Sequence, residues 1–476
     1  MSALVETKPS NPIATFLRSF TPAGVAPMAR RNFAREMTSA MLLPVAVACV
    51  EGNVLSVLIK KGFIPTVAQE TGRDPGAYDQ LVALVAAAGP LAMLTSVVWT
   101  RVFHGRDRVR AINALQIATL AFVGGIMLMP VTEAGLFGLV GLMLAARCCL
   151  TGIVTARTDV WRANYPPESR ARISGRITMM TSLVFAVTTL VLGRIIDLAD
   201  GDVGAFRYVY AAAILTGLAG EWTNGRNRWR GRAAHNERRT TDAETRLDRP
   251  GPRAMLSVLK SDAVYRRFMV AQFILGLPNI AAAPIFIIGL ERAFAVSYTT
   301  SLALVQIIPI LMPLFAIPLW ARLFDTMHIV RYRTYHSWFF VFANLLMGIG
   351  LLTGHLWILF IARVLLGIAF GGGMLAWQLG HHDFAKRELA SIYMGIHVTL
   401  TGVRGLVAPF IGVALFSGLP LWLIGDGAPT WLRNGLGAWT FTLLAFVGLI
   451  GTLLFLRLNL QLRRDGNTDL TPTRSG

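Results

Sequence analysis

The apolar residues of this chain lie in continuous blocks of about twenty residues, separated by short polar runs. Blocks of this length predict helices that cross a membrane, whereas transmembrane β-strands show an alternating pattern. The chain is therefore predicted to be an all-α polytopic membrane protein with twelve transmembrane helices. The predicted spans are 36–59, 79–100, 110–130, 135–157, 173–197, 206–224, 265–290, 298–320, 334–353, 356–379, 389–416 and 436–457.

Two stretches of the sequence repeat each other in spacing. Arg147 precedes Trp161 by fourteen residues, and Arg363 precedes Trp377 by the same distance. Earlier in each half, the run from Trp99 to Phe103 matches the run from Trp320 to Phe324. Matched blocks in the same order indicate two homologous halves. The predicted units are a tail over 1–35, a six-helix bundle over 36–224, a linker over 225–262, a second six-helix bundle over 263–458 and a tail over 459–476.

The linker over 225–262 is rich in arginine and has few apolar residues before Met255. Such a segment cannot bury enough apolar surface to fold alone. Its end, from Met255 to Arg267, has one apolar and one basic side, which predicts a short helix at the membrane surface.

The 476 residues are 54% hydrophobic and 15% charged, with a formal net charge of +19. The basic residues concentrate in the N-terminus, in the loops after spans 2, 4, 6, 8 and 10, and in the C-terminus. The opposite loops carry only Lys60, Lys61, Arg73, Arg292 and Arg433. The positive-inside rule therefore predicts that both termini are cytoplasmic, in a multi-pass protein of the plasma (inner) membrane. The charge is a topology signal with attraction to anionic membrane lipids, and a nucleic-acid partner is not expected.

The sequence favours neither an enzyme nor a cofactor-binding protein. It has no phosphate-binding loop with its lysine, no HExxH zinc motif and no Gly-x-Ser-x-Gly motif. His381-His382-Asp383 lacks a second cluster that could complete a metal site. Cys49, Cys148 and Cys149 lie inside apolar blocks and suggest neither a disulfide nor a metal. The polar N-terminal stretch shows no cleaved signal peptide, so the first span is expected to direct insertion.

The span pattern and one loop resemble the major facilitator superfamily of secondary transporters. The run Pro167-Glu168-Ser169-Arg170-Ala171-Arg172 is similar to that superfamily's loop between spans 4 and 5. The family's loop 2–3 signature is altered here, with His104 in place of an aspartate in the first half and Asp325 kept in the second. The resemblance implies two pseudo-symmetric six-helix bundles that rock around a central cavity. The signatures of antiporters and sugar porters are absent, so no subfamily is identified.

Charged residues inside spans are the first candidates for a central site. Glu51, close to Asn53, is interpreted either as a proton or cation site or as half of an ion pair with a buried arginine. Arg147, Arg363 and Arg404 each require a carboxylate, a helix C-terminus or other backbone carbonyl, a water-filled cavity or an anionic ligand. Three arginines against one buried glutamate favour a partly anionic ligand or a proton-dependent pairing.

Further polar residues within spans complete the candidate cavity. His397 is interpreted as a proton carrier or, more simply, as a hydrogen-bonded helix histidine. Gln272 and Asn279 share one face of span 7, which Gly276, Pro278 and Pro284 are expected to break or kink. Gln378 is a weaker candidate. Trp161 and Trp377, at span ends, are predicted to be interfacial anchors.

A cytoplasmic gate of two charge clusters follows from the resemblance. In the first, the basic loop 2–3 faces the start of span 11; in the second, Asp325 faces the start of span 5. We expect these pairs to form when the cytoplasmic side closes and to part when it opens. The gate residues are Arg101, Arg106, Arg108, Asp383 and Glu388 in the first cluster, and Asp325, Arg170, Arg172 and Arg176 in the second.

The sequence thus predicts a secondary transporter, expected to be monomeric, that moves a small solute by alternating access with protons as the coupling ion. Two alternatives stay open: a multidrug exporter with an apolar cavity, and a membrane scaffold or sensor that kept the fold without transport. A cavity lined by Arg and Glu would favour transport of an ion or anion, and an occluded apolar centre would favour the scaffold.

Overall fold

The computed structural model describes residues 20–22, 25–103, 106–228, 230, 252–385, 389–419, 425, 427 and 429–464. Within these residues twelve helices are long and apolar enough to cross a membrane, which is the predicted number. They are α1 Arg30–Thr71, α2 Pro75–Met93, α3 Arg108–Leu128, α4 Glu133–Asn164, α5 Arg172–Leu198, α6 Val203–Asn224, α7 Ala263–Ala293, α8 Tyr298–Thr326, α9 Ile329–Thr353, α10 Leu356–Asp383, α11 Ile392–Ser417 and α12 Trp439–Arg464.

Several spans are composite. α1 joins Arg30–Ala48, Gly52–Leu58, a π-helical turn over Ile59–Phe63 and Ile64–Thr71. α8 contains a second π-helical turn, Ala303–Ile307. Beyond the spans, the described residues form short helices over Ser96–Val102, Pro252–Ser261 and Thr430–Asn434. The helix Pro252–Ser261 overlaps the predicted stretch Met255–Arg267, whose residues from Ala263 onward belong to α7 instead. It packs against α11, and its position at the membrane surface stays a prediction.

Side chains at the first turns explain where several helices begin. Asp107 accepts a hydrogen bond from the Val109 amide at 3.0 Å before α3, and Asp262 accepts one from the Tyr265 amide at 2.8 Å before α7. Such caps satisfy amide groups that have no partner within the helix.

The helices pack in two sets with the same pattern. In the first set α1 contacts α5 and α6, α3 contacts α4 and α6, and α2 contacts α4. In the second set α7 contacts α11 and α12, α9 contacts α10 and α12, and α8 contacts α10. Each of these contacts in one half therefore has its counterpart in the other half, as expected for two pseudo-symmetric bundles.

The two halves meet along α2 with α11 and along α5 with α8, which are again counterpart pairs. For orientation, the end of the molecule that carries residues 101–103, 106–110, 162–172 and 253–267 is called the basic face. The end that carries residues 60–79, 199–203 and 291–298 is called the opposite face.

Candidate functional site

The first span is interrupted at Glu51. The helix stops at Ala48, and Glu51 has an extended backbone, with φ −76° and ψ 130°, before the helix resumes at Gly52. A Cβ on Gly52 would lie 2.6 Å from the Val85 carbonyl oxygen, so glycine allows α1 to approach α2 here. The Tyr210 hydroxyl donates to the Cys49 carbonyl at 2.5 Å, which provides a partner for a carbonyl next to the break.

Glu51 and Arg147 form an ion pair between α1 and α4. Arg147 Nη1 lies 2.7 Å from Glu51 Oε2, and the two side chains are 20% and 24% exposed. The expectation that Glu51 faces an arginine agrees with this contact. Both residues lie well inside their spans, so an ionised carboxylate at this depth has the partner that its low-dielectric surroundings require. Arg147 also lies against Gly89 of α2.

Asn53 links the two halves two residues beyond Glu51. Its amide Nδ2 donates to Gln306 Oε1 of α8 at 3.0 Å. Gln306 belongs to the π-helical turn of α8 and is buried. Glu51, which pairs with Arg147 of α4, and Asn53, which makes this bridge, therefore occupy neighbouring positions on α1.

Arg363 lies inside the second half. Its Nε donates to the Leu304 carbonyl at 2.6 Å and its Nη2 to the Val305 carbonyl at 2.8 Å. Both carbonyls belong to the π-helical turn of α8, and Arg363 is 5% exposed. Of the partners considered for Arg363 from the sequence, the structure therefore shows backbone carbonyls. Arg147 and Arg363 both reach the second helix of their own half, and their superposition on each other stays a prediction.

Arg404 is likewise held by neutral groups. Nη1 donates to the Gln272 carbonyl at 2.6 Å and Nη2 to Thr401 Oγ1 at 3.0 Å. The guanidinium occupies the space above Gly276, where a Cβ would lie 1.6 Å from Nη1. His397, buried nearby, packs against the Trp377 ring with centroids 5.8 Å apart.

Span 7 is not broken by its prolines. α7 runs as one helix from Ala263 to Ala293 with Pro278 and Pro284 inside it. Asn279 donates to the Leu275 carbonyl at 3.1 Å and accepts from Asn344 of α9 at 3.2 Å. Its side chain therefore forms a hydrogen bond between two helices. Gln378 is exposed near the end of α10. The helix that is interrupted is α1, between Ala48 and Gly52, and no proline lies within that interruption.

Sequence reasoning missed a polar group in the first half. Trp161 Nε1 donates to Glu36 Oε2 at 2.6 Å, and Glu36 is 8% exposed. Arg157 lies beside them, with its guanidinium 5.9 Å from the centre of the Trp161 ring. Trp377 likewise donates its indole N–H to Thr401 Oγ1, at 3.4 Å, and the prediction that both tryptophans are interfacial anchors stays a prediction. Glu36 and Arg157 lie at the ends of the predicted spans 36–59 and 135–157. The observed helices, Arg30–Thr71 and Glu133–Asn164, extend beyond both residues and therefore place them inside the bundle.

These residues line a cavity of about 460 Å³ in the first half. Its charged and amide side chains are Glu36, Gln116, Arg147, Arg157, Asn224 and Asn227, and its other walls are mostly apolar with some hydroxyl groups. Val398 of α11 also lines it, so the cavity adjoins the contact between the halves.

At the opposite face a buried carboxylate joins the halves. Asp79, 1% exposed, lies 2.5 Å from Lys60 Nζ of its own half and 2.5 Å from Arg292 Nη2 of the other half. The Ser417 hydroxyl of α11 donates to the same carboxylate at 2.6 Å. In the sequence, Lys60 and Arg292 serve only as signals of orientation. Asp79 gives no sign of pairing with them, because an aspartate at a span end usually contacts water.

A second set of polar contacts reinforces this seal. Lys61 Nζ lies 3.0 Å from Glu291 Oε2 across the halves. Asp197 at the end of α5 accepts hydrogen bonds from the amides of Tyr298 and Thr299 at 2.7 and 2.9 Å, at the start of α8. Among the described residues, the ion pairs between the halves lie at this face alone.

The predicted gate residues lie at the basic face. Asp325 is exposed and forms no ion pair with a described residue. Asp383 accepts from the Ile329 amide at 2.7 Å, and Arg170 donates to the Arg162 and Tyr165 carbonyls at 3.1 and 3.0 Å. Arg101, Arg106 and Arg172 are exposed, Arg176 is partly buried, and Arg108 donates to the Phe103 carbonyl. His104 and Glu388 lie outside the described residues, and the gate stays a prediction.

The fold is that of the major facilitator superfamily transporters, as comparison with solved structures shows. A D-xylose–proton symporter superimposes with a TM-score of 0.65 at 13% identity, over 89% of this chain and 96% of that one. A POT family transporter in complex with 5-aminolevulinic acid gives 0.62 at 12%, over 90% and 96%. The inward-open xylose transporter XylE from E. coli gives 0.61 at 12%, over 90% and 95%. No family model matches the sequence, and no curated protein matches it.

Proposed function

We propose that this protein is a secondary transporter that moves a small solute across the inner membrane by alternating access, coupled to protons. The observation that carries the proposal is the Glu51–Arg147 ion pair at a break in α1, partly exposed and deep within the spans. The D-xylose–proton symporter of the same fold is, by its name, proton-coupled, which supports this choice.

Proton coupling follows from the chemistry of the pair. An ionised glutamate at this depth is stable only while Arg147 neutralises it. A proton on Glu51 would remove that charge and release Arg147 for another partner. Proton binding and a rearrangement between α1 and α4 would then be linked events.

The contacts between the halves support alternating access. The opposite face is closed by Asp79–Arg292 and Lys61–Glu291, whereas Asp325 at the basic face has no described ion partner. With the basic face cytoplasmic by the positive-inside rule, this arrangement corresponds to a conformation closed toward the outside.

A proteoliposome uptake screen of small organic anions, with and without an imposed pH gradient, tests the proposal. Uptake driven by the gradient is expected from the native chain and should be lost in Glu51→Gln. Glu133→Gln, at the opposite face beside Arg73, serves as the matched carboxylate control and should transport normally. Gradient-driven uptake that persists in Glu51→Gln would remove Glu51 from the coupling.

The alternative of a multidrug exporter draws support from the mostly apolar walls of the 460 Å³ cavity. In that case uncharged apolar compounds would be moved as readily as anions in the same screen. The scaffold alternative is disfavoured, because the contact between the halves includes the polar Asn53–Gln306 bridge rather than apolar side chains alone. The partly exposed Glu51–Arg147 pair of the first half begins only two residues away along α1.

A further inference from the structure

The cavity in the first half extends from Arg147 toward the basic face as far as Glu36. Arg147 and Arg157 both line it, and ten helical residues separate them by about 15 Å. Between them the walls are mostly apolar, with Leu43, Val47 and Leu150 among the lining residues, and the hydroxyls of Thr151 and Thr155 also line this stretch. The cavity is therefore a long, mostly apolar space with an arginine and a nearby carboxylate toward each end.

The two arginines differ in their partners. Arg147 is neutralised by Glu51 at 2.7 Å. Arg157 forms no ion pair or hydrogen bond with any residue that the structure describes; it lies over the Trp161 ring and feels the charge of Glu36. Arg157 is partly exposed and lines the cavity, so its guanidinium can donate hydrogen bonds to an acceptor on a ligand.

We infer that this cavity binds a small organic monoanion, with its carboxylate on Arg157 and its apolar body between α1, α3 and α4. The inference rests on the proposed transport function and names the substrate class. A volume of about 460 Å³ lies in the range of pockets for small molecules.

Glu36 sets the charge that the anion meets. Its carboxylate accepts from Trp161 Nε1 at 2.6 Å, and the Arg157 guanidinium lies over the ring of the same tryptophan. Gln116 of α3 and Thr181 of α5, which also line the cavity, are uncharged. An ionised Glu36 opposes an incoming carboxylate, so removing this charge should strengthen anion binding or leave it unchanged.

Calorimetric binding to the full chain in nanodiscs tests the inference with benzoate and phenylbutyrate against the uncharged benzamide and phenylbutyramide. The acids are expected to bind and the amides to bind at least tenfold more weakly. Arg157→Gln should weaken acid binding about tenfold to a hundredfold, the loss expected for a charge-assisted hydrogen bond. Arg162→Gln, an exposed arginine on the same helix, is the matched control and should bind normally.

Two further variants separate binding from folding. Arg157→Lys keeps the charge and should retain part of the affinity, and Glu36→Gln should bind the acids at least as tightly as the native chain. Equal affinity for acids and amides, no binding of either acid, or full binding by a folded Arg157→Gln would overturn the inference. Because binding needs no gradient, acid binding without any uptake would contradict the transport function alone, and uptake of anions with unaltered binding in Arg157→Gln would contradict this site alone.

Discussion

Arg404 shows how a single glycine can fix an ionisable side chain inside a membrane protein. Its guanidinium lies where the side chain of any larger residue at position 276 would be, and its donors meet the Gln272 carbonyl and Thr401. Gly276 therefore leaves room for the Arg404 guanidinium, and the apolar residues around position 276 in the sequence give no sign of this.

Gly276→Ala should displace Arg404 and destabilise the protein by about 1–3 kcal/mol, the usual cost of overpacking. The measurement is thermal unfolding of the purified protein in detergent. Gly141→Ala in α4 is the control, since a Cβ there meets no atom within 4 Å. It should be neutral or slightly stabilising, because alanine favours a helix over glycine. Equal unfolding temperatures for the two variants would show that Arg404 is not held as described.

At the scale of helices, the irregular turns carry the polar chemistry. The break in α1 positions Glu51, and the π-helical turn of α8 directs two carbonyls at Arg363. Local departures from α-helical geometry often mark functional positions, because they free backbone groups or reorient side chains. Arg363 from α10 thus ties α10 to the irregular part of α8.

Arg363→Met should leave the carbonyls of Leu304 and Val305 without donors inside the membrane. Each unsatisfied carbonyl is expected to cost about 1–3 kcal/mol, so the variant should unfold at a clearly lower temperature. Arg331→Met, which removes an exposed arginine at the basic face, provides the comparison. If both variants unfold alike, the two hydrogen bonds contribute little to stability.

The number and order of the helices could be predicted because apolar length and basic-loop bias are local properties of the sequence. The pairing of Glu51 with an arginine was also within reach, since a charge in hydrocarbon demands a partner. The break in α1 was not, because it depends on the contact of Gly52 with α2. Glu36 and Asp79 were missed for a related reason: near a span end, a carboxylate in water and a buried one have the same sequence pattern.

For the molecule as a whole, stability of the closed opposite face depends on a few polar contacts across the halves. Asp79 is the most buried of them and holds one cation from each half. Because Lys60 stays with Asp79 within the first half, Arg292 is the partner that must leave when this face opens.

Arg292→Gln should increase the population of the conformation open at the opposite face about tenfold, since one charge-assisted hydrogen bond between the halves is lost. Distances between spin labels on the α1–α2 and α7–α8 connections, measured by pulsed electron spin resonance, report that population. Arg73→Gln removes a pair with Glu133 inside one half and should leave the distances unchanged. If the spin-label distances are the same in both variants, contacts other than Asp79–Arg292 keep the opposite face closed.

Asp197 accepts the first amides of α8 although it belongs to the other half. Separation of the halves at this face therefore also removes the partners of the Tyr298 and Thr299 amides. Those two amide hydrogens are protected while the face is shut and become free to exchange with solvent deuterium when it opens. Their exchange rates would report how often the native protein, without mutations or spin labels, opens at this face.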